Sequence, residues 1–230
     1  TFMLTIIIPA YYEEKVIEKT TLEYLHFFKK QASKVEIIII PNGCTDKTIE
    51  IVTKLTKKYP EVKCYTSVIA SKGNAIIEGF KHAQGDIICY VDADNSTKPE
   101  MLRTLIKELH SVDCVMGSRW LRESNILKKQ PLLRRIASRG YNMLVRLLLN
   151  LQFTDTQVGG KVFKKKAIQK IIPELRPYTW GFDVAILVLL KKYHFKIKEV
   201  PMIWSNDEDS RLKMRKAIPK MFKELLQIRK

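Results

Sequence analysis

Two carboxylates, Asp92 and Asp94, stand on either side of the small Ala93, directly after the apolar run Ile87-Ile88-Cys89-Tyr90-Val91. In extended backbone, residues two apart point the same way, so both side chains can face one ligand. A pair of compact oxygen donors suits Mg²⁺ or Mn²⁺, which takes one or two carboxylates and fills its remaining positions from water and phosphate. The pattern points to a metal-bridged diphosphate. A D-x-D triplet also arises by chance, and helix initiation is the competing explanation, because Thr97-Lys98-Pro99-Glu100 has capping-box spacing with Pro in the first turn. That explains Thr97, Pro99 and Glu100 but gives Asp92 no role.

These carboxylates need a scaffold. Strand-length apolar runs occur at 4–8, 35–40, 62–69 and 87–91, with a weaker one at 112–116, and helical patterns at 14–30, 45–58, 73–83 and 99–110 lie between them. The strand runs are apolar on successive residues, as expected when helices cover both faces of a parallel sheet. The first half, residues 1–117, therefore reads as a doubly wound α/β sheet. Ligands in such sheets bind at the carboxyl ends of the strands. The loops found there are 9–14, 41–46, 72–74 and 92–94. Residues 118–210 are less regular: a basic amphipathic helix at 131–150, a turn at 155–160, a helix near 182–194 and a strand at 196–203, before a basic terminal helix from Arg211. No repeat or Gly/Ser linker divides the chain, so 1–230 reads as one domain.

With 230 residues, 46% of them hydrophobic and 28% charged, the chain is long and apolar enough for a substantial core, which excludes disordered and low-complexity classes. Its net charge of +17 favours polyanionic partners: nucleic acid, an anionic membrane face or phosphorylated substrates. No run approaches the roughly 18 uncharged apolar residues of a membrane span; Arg146 and Asp183 interrupt or precede the best candidates. The first residues lack the basic n-region of a secretory signal. Membrane segments outside these 230 residues are compatible with this reading. Cys44, Cys64, Cys89 and Cys114 form no C-x-x-C pair and no zinc set, and reduced thiols in a cytosolic setting are expected. His26, His82, His110 and His194 lie singly in helical patterns, where structural roles are the default, and Trp120, Trp180 and Trp204 adjoin the candidate loops.

The order and spacing of Thr5-Ile6-Ile7-Ile8-Pro9-Ala10-Tyr11-Tyr12-Glu13-Glu14, Asn42-Gly43-Cys44-Thr45-Asp46, Lys72-Gly73-Asn74-Ala75, Asp92-Ala93-Asp94 and Gly117-Ser118-Arg119 resemble family 2 glycosyltransferases of the GT-A fold. The resemblance continues through Asp155-Thr156-Gln157-Val158-Gly159-Gly160-Lys161-Val162-Phe163, Trp180-Gly181-Phe182-Asp183 and Val200-Pro201-Met202-Ile203-Trp204, and so covers nearly the whole chain. Within the family the chain looks like the dolichyl-phosphate sugar transferases, which move glucose or mannose from a nucleotide sugar to a polyprenyl phosphate.

That resemblance implies an inverting hexosyltransferase using Mg²⁺ or Mn²⁺, UDP-glucose or GDP-mannose as donor, and dolichyl phosphate as acceptor. It places Pro9, Tyr11, Glu13 and Asn42 around the base and ribose, with Lys72 in the nucleotide site. It puts Asp92 and Asp94 at ribose and metal, and Ser96 where relatives carry a third ligand. Arg119, Arg134 and Ser138 would clamp the acceptor phosphate, and Arg211 would close over the donor diphosphate. Asp155, Gln157 and Asp183 are candidates for the sugar hydroxyls. The chain departs from the family at Pro41-Asn42-Gly43-Cys44, where Asp-Asp-Gly-Ser is usual, at Tyr12, where Asn is usual, and at Ser96, a weaker ligand than the residue often found there.

The chemistry is consistent with so basic a chain. A phosphate monoester, with a second pKa near 6, already offers an anionic nucleophile and needs no dedicated base. Catalysis then consists of bringing two anions together and stabilising the leaving diphosphate, which calls for a metal and Arg forks. Basic amphipathic patterns at 131–150 and 211–230 imply docking on an anionic membrane surface from the cytoplasmic side, although each stripe could equally be a core face. Pro219 should kink or restart the second helix. Among rivals, a nucleotidyltransferase should have a Gly-rich phosphate loop after its first strand, and residues 9–14 contain no glycine. A nucleic-acid binder should interleave aromatics with its basic residues, which this chain does not. A family 2 enzyme with a non-lipid acceptor and a non-catalytic nucleotide-sugar binder stay open. The residues at 72–73, 155–157 and 180–183 do not settle glucose against mannose, but they look more like the glucosyl branch of the family.

Overall fold

The computed structural model describes residues 2–31, 34–67, 70–128, 130–205 and 214–229. Seven strands form one sheet in the order β3-β2-β1-β4-β7-β5-β8: β1 (Met3–Ala10), β2 (Lys34–Pro41), β3 (Val62–Cys64), β4 (Ile87–Tyr90), β5 (Cys114–Ser118), β7 (Lys161–Lys164) and β8 (Ile197–Pro201). Every pairing is parallel except those of β7, which runs antiparallel to β4 and β5. Beyond the ends of β5 and β8 the chain forms a second, two-stranded parallel sheet from β6 (Asn125–Lys128) and β9 (Ile203–Ser205). The expected doubly wound, mostly parallel α/β sheet is present.

Burial of successive residues in β1 and β2 has the anticipated cause: helices cover both faces. On one side α1 (Ile17–Lys29), α2 (Thr48–Lys58) and α4 (Pro99–Glu108) pack Tyr24, Leu25, Val52 and Leu102 against Ile6, Ile8 and Ile37. On the other, α3 (Lys72–His82), α6 (Lys165–Ile171) and α7 (Phe182–Lys192) pack Ile76, Phe80, Ile168 and Ile186 against Ile7, Ile38 and Ile88. A smaller cluster, with Tyr141, Val145, Val184, Leu187 and Leu225, joins α5 (Leu132–Leu149), α7 and α8 (Met214–Arg229).

Several sequence expectations change. The strand expected over 62–69 ends at Cys64, although Ser67 still bridges to Asn42. The strand expected over 196–203 splits at Met202 into β8 and β9. The sequence reading did not anticipate β6, α6 or the antiparallel β7. The capping box does not form: Lys98 occupies the N-cap position of α4 without a side-chain cap, and the Thr97 hydroxyl instead donates to the Gly159 carbonyl at 2.6 Å. Pro219 lies inside α8 and does not end it. Arg211, expected to begin the terminal helix, lies outside the described residues. Among the described residues no helix is long and apolar enough to cross a membrane. All four cysteines are free; Cys89 and Cys114 are buried, Cys44 and Cys64 half-buried.

Candidate active site

The Asp92-Ala93-Asp94 loop leaves the end of β4 and is fixed from several directions. Thr20 of α1 donates to the Ala93 carbonyl at 2.7 Å, and the buried Tyr24 hydroxyl donates to Thr97 O. Asn95 takes a left-handed conformation with φ 56°, which Asn tolerates better than most residues. The loop therefore turns back, and the Ser96 amide reaches Asp94 Oδ1 at 2.9 Å. Gly159 is required on the far side, because a Cβ there would lie 1.9 Å from Asp92 Oδ2.

Lys72, at the start of α3, pairs with Asp92. Burial opposes ionisation of that carboxyl, but Lys72, together with Lys161 and Arg119, holds its pKa below the ordinary value. Asp94 is left unbalanced. Burial, reinforced by the charge of Asp92, pushes its pKa up to about 6. Next to it the buried Ser96 Oγ has no hydrogen-bond partner. Two crowded carboxylates and an orphaned hydroxyl at the end of a parallel strand are a donor set that a divalent cation would satisfy. Among the described residues no group of three or more His, Cys, Asp or Glu is placed to hold a metal; an ion at Asp92 and Asp94 would need further ligands from phosphate and water. The residues present thus fit Mg²⁺ or Mn²⁺.

Facing the carboxylates is a cationic wall. Arg119, just past β5, is gripped by Asp155: its amide and Nε donate to Oδ2 at 3.0 and 2.7 Å, and Nη2 donates to Oδ1 at 2.9 Å. The guanidinium also lies over Trp204, 5.2 Å from the ring centroid. Burial works against its charge, yet Asp155 holds the Arg119 pKa above the usual value. Arg134, in the first turn of α5, is shifted the other way by burial and by Arg119. Two guanidiniums crowded in one partly dry space form a site for an anion.

One cavity of about 660 Å³ unites these groups: Lys72, Asp92, Asp94 and Ser96 on one side, Arg119, Arg134 and Ser138 on another, with Gln157 and Asp183 also lining it. Of the three sugar candidates, Asp155 does not reach the cavity. It is buried behind Arg119 as that residue's counter-ion, and a fork saturated by a guanidinium is not open to a sugar hydroxyl. Gln157 lines the wall while donating to the Trp180 carbonyl at 3.3 Å. Asp183 borders the cavity, but its Oδ1 accepts from the Tyr90 hydroxyl and from Lys161 Nζ, the latter at 2.5 Å.

Of the residues expected around base and ribose, Pro9, Tyr11, Glu13 and Asn42 gather at the ends of β1 and β2, outside that cavity. Pro9 is buried within β1, and Asn42 braces the two strand ends, its amide donating to Ala10 O at 2.8 Å. Tyr11 is 44% exposed and packs edge-on against Tyr12, with centroids 4.6 Å apart. Tyr12 has φ 58°, the left-handed conformation that explains why Asn is usual there. The Glu13 amide donates to Thr48 Oγ1 at 2.9 Å, tying the first loop to α2.

Sequence reasoning gave no role to Lys161, Tyr90, Gly159 or Glu224. Lys161 is fully buried, with Nζ also donating to Val158 O at 2.7 Å. A charged residue opening an apolar strand was the available signal for it, and a lone acid in a basic helix was the signal for Glu224.

Residues 5–172 match the model of the family "Glycosyl transferase family 2". The chain is 32% identical to dolichyl-phosphate beta-glucosyltransferase ALG5A of Trichomonas vaginalis, over 98% of this chain and 72% of that one, and 29% identical to the Saccharomyces cerevisiae dolichyl-phosphate beta-glucosyltransferase, over 98% and 74%. It is 31% identical to glycosyltransferase AglD of Haloferax volcanii over 97% of its length, where it spans 36% of the relative. Its fold superposes on glucosyl-3-phosphoglycerate synthase of Mycobacterium tuberculosis, solved with Mn²⁺, UDP and phosphoglyceric acid, with a TM-score of 0.74, 15% identity and coverage of 99% of this chain and 78% of that one. With a carboxylate pair at the end of a central parallel strand, an opposing arginine wall and a family match across most of its sequence, the chain belongs to glycosyl transferase family 2 and is a glycosyltransferase.

Proposed function

We propose that the chain transfers a hexose, glucose in preference to mannose, from UDP-glucose or GDP-mannose to a polyprenyl or dolichyl phosphate, with inversion, at the cytoplasmic face of a membrane. One observation carries this reading: the cavity that unites Asp92 and Asp94 with Arg119 and Arg134 opens beside a long apolar surface. On α5, Leu133 and Leu147 are 75% and 69% exposed, and Leu132, Ile136 and Met143 are also uncovered. Arg135, Arg139 and Arg146 of α5 line an adjoining open groove of about 750 Å³ with Leu132, Ile136 and Met143, and Gly140 borders both spaces. On α8 Ile218, Phe222 and Leu226 are exposed. Apolar side chains flanked by arginines suit lipid tails beneath anionic headgroups. The similarity to dolichyl-phosphate beta-glucosyltransferases supports both acceptor and sugar, and four unbridged cysteines accord with the reducing side of a membrane.

Asp92, Asp94 and Ser96 would hold Mg²⁺ or Mn²⁺, which when bound supplies positive charge to the leaving diphosphate. Pro9, Tyr11, Glu13 and Asn42 would shape the nucleoside end. Lys72, paired with Asp92 at the cavity wall, would meet the diphosphate. Arg119 is held rigid by Asp155, so its remaining donors meet an incoming phosphate without reorganisation. Arg134 and Ser138, on one face of α5, complete the acceptor clamp. An anionic oxygen of the lipid phosphate attacks the anomeric carbon as its bond to the nucleoside diphosphate breaks. The electron pair leaves with that diphosphate, and no proton has to be removed from the nucleophile.

The test is transfer of radiolabelled hexose from UDP-glucose or GDP-mannose to dolichyl phosphate in vesicles with Mn²⁺. Arg134→Ala should raise the KM for lipid phosphate at least tenfold and that for the donor less than twofold. Equal changes in the two constants would reject the acceptor assignment, and absence of lipid product with either donor would reject the reaction.

A further inference from the structure

The terminal helix α8 is strongly basic, and a single acid, Glu224, interrupts it. Glu224 is not at the surface. It is 6% exposed, and it faces inward with Ala217 and Leu225 while Ile218, Phe222 and Leu226 face outward. Its carboxylate accepts three consecutive backbone amides of another element: Thr179 N at 2.9 Å on Oε1, and Trp180 N and Gly181 N at 2.9 and 2.8 Å on Oε2. These amides immediately precede α7, for which Gly181 is the N-cap residue without a side-chain cap of its own.

A helix start leaves amides unsatisfied and carries partial positive charge, so an anion placed on it is doubly favourable. Here the anion comes from a helix remote in sequence. The close approach depends on Gly181, where a Cβ would lie 2.9 Å from Ile228 Cδ1 and 3.3 Å from the Glu224 Cβ. The capped turn is also the wall of the reaction cavity: Trp180, Phe182 and Asp183 line it, as do Ile218, Met221 and Phe222 of α8 itself.

We propose that Glu224 is a positioning residue for hexose transfer: by capping α7 across the fold it sets the Trp180–Asp183 wall, and so makes seating of the surface helix α8 a condition for an assembled cavity. The proposal deepens the reading above, since α8 carries part of the apolar surface assigned there to the membrane. Because the cap needs two acceptor oxygens on one side chain, the isosteric amide cannot replace it: one oxygen becomes an NH₂ group that meets N–H donors head on. Asp is a methylene too short.

The test compares the wild type with Glu224→Gln, Glu224→Asp and, as a charge control, Glu50→Gln, whose exposed ion pair with Lys54 lies on α2. Hydrogen exchange of the Thr179, Trp180 and Gly181 amides, melting temperature, and kcat and KM with UDP-glucose and dolichyl phosphate are measured well below the melting point of every variant. Glu224→Gln and Glu224→Asp should accelerate exchange at those amides at least tenfold and lower kcat at least tenfold while the chain stays folded, and Glu50→Gln should match the wild type. A packing role alone predicts that Glu224→Gln behaves as wild type. Wild-type exchange or wild-type kcat in Glu224→Gln, or a rate loss that only follows loss of folded protein, overturns the proposal. If the wild type itself makes no lipid product, the substrate reading fails separately, and exchange at the three amides still decides the Glu224 assignment.

Discussion

Replacing Asp94 with Asn should stabilise the metal-free protein while abolishing transfer. Burial and the charge of Asp92 push the Asp94 pKa up to about 6 from an ordinary 3.8, so at neutral pH the folded chain carries an ionised group that the unfolded chain accommodates more easily. A rise of roughly two pH units corresponds to about 3 kcal/mol above both pKa values. Partial exposure of Asp94 and solvent screening reduce the expected gain to about 1–2 kcal/mol. With the folded pKa above the unfolded one, the native state binds the extra proton between pH about 4 and about 6. The stabilising contribution of protonated Asp94 is complete below that window and is lost as pH rises through it. Asn keeps an oxygen for the Ser96 amide, now 2.9 Å from Oδ1, and removes only the charge. Scanning calorimetry in EDTA from pH 4.5 to 8 should place Asp94→Asn about 2–8 °C above the wild type at pH 7.5, at about 2–4 °C per kcal/mol for a chain of this size. The gap should narrow towards the acid end. Adding Mn²⁺ should raise the wild-type melting point more than that of the variant. An equal or lower melting point for Asp94→Asn in EDTA at pH 7.5 would refute the reasoning, and so would a gap that does not change with pH.

Two other substitutions probe the supports of the site. Gly159→Ala drives a methyl group into the Asp92 carboxylate; displacement of a reacting group by about 1 Å can cost on the order of 100-fold, so kcat should fall by about that factor, and a rate above half the wild type would dismiss the contact. Lys161→Met leaves the buried Asp183 without its cation, a change that in buried pairs costs about 3–5 kcal/mol; urea unfolding should show that loss, and an unchanged midpoint would mean that the pair contributes nothing.

Much of this molecule is legible along the chain. The continuous apolar runs of β1 and β2 specify strands buried on both faces, because only helices on either side of a sheet can remove every residue of a strand from water. The place of Asp92 and Asp94 just past such a run puts two carboxylates at the ligand-binding edge, because strand polarity in a parallel sheet follows from chain order; the extended alternation expected for them does not hold, since β4 ends at Tyr90 and Ala93 and Asp94 lie in a turn closed by the Asn95 amide donating to Asp92 O at 3.3 Å. What tertiary structure decided is which charges neutralise one another. Asp155 and Asp183 have the same composition signal as Asp92, yet one is closed by Arg119 and the other held by Lys161 and Tyr90. Lys161 opens a four-residue strand, and its burial follows only from β7 inserting antiparallel between β4 and β5. Thr97 abandons its local cap for Gly159, 62 residues away, and Glu224 caps a helix 43 residues before it. Propensity and periodicity act over a few residues, whereas pairing of buried charges is set by chain segments that meet only after folding, and only the assembled structure shows which acids line the cavity.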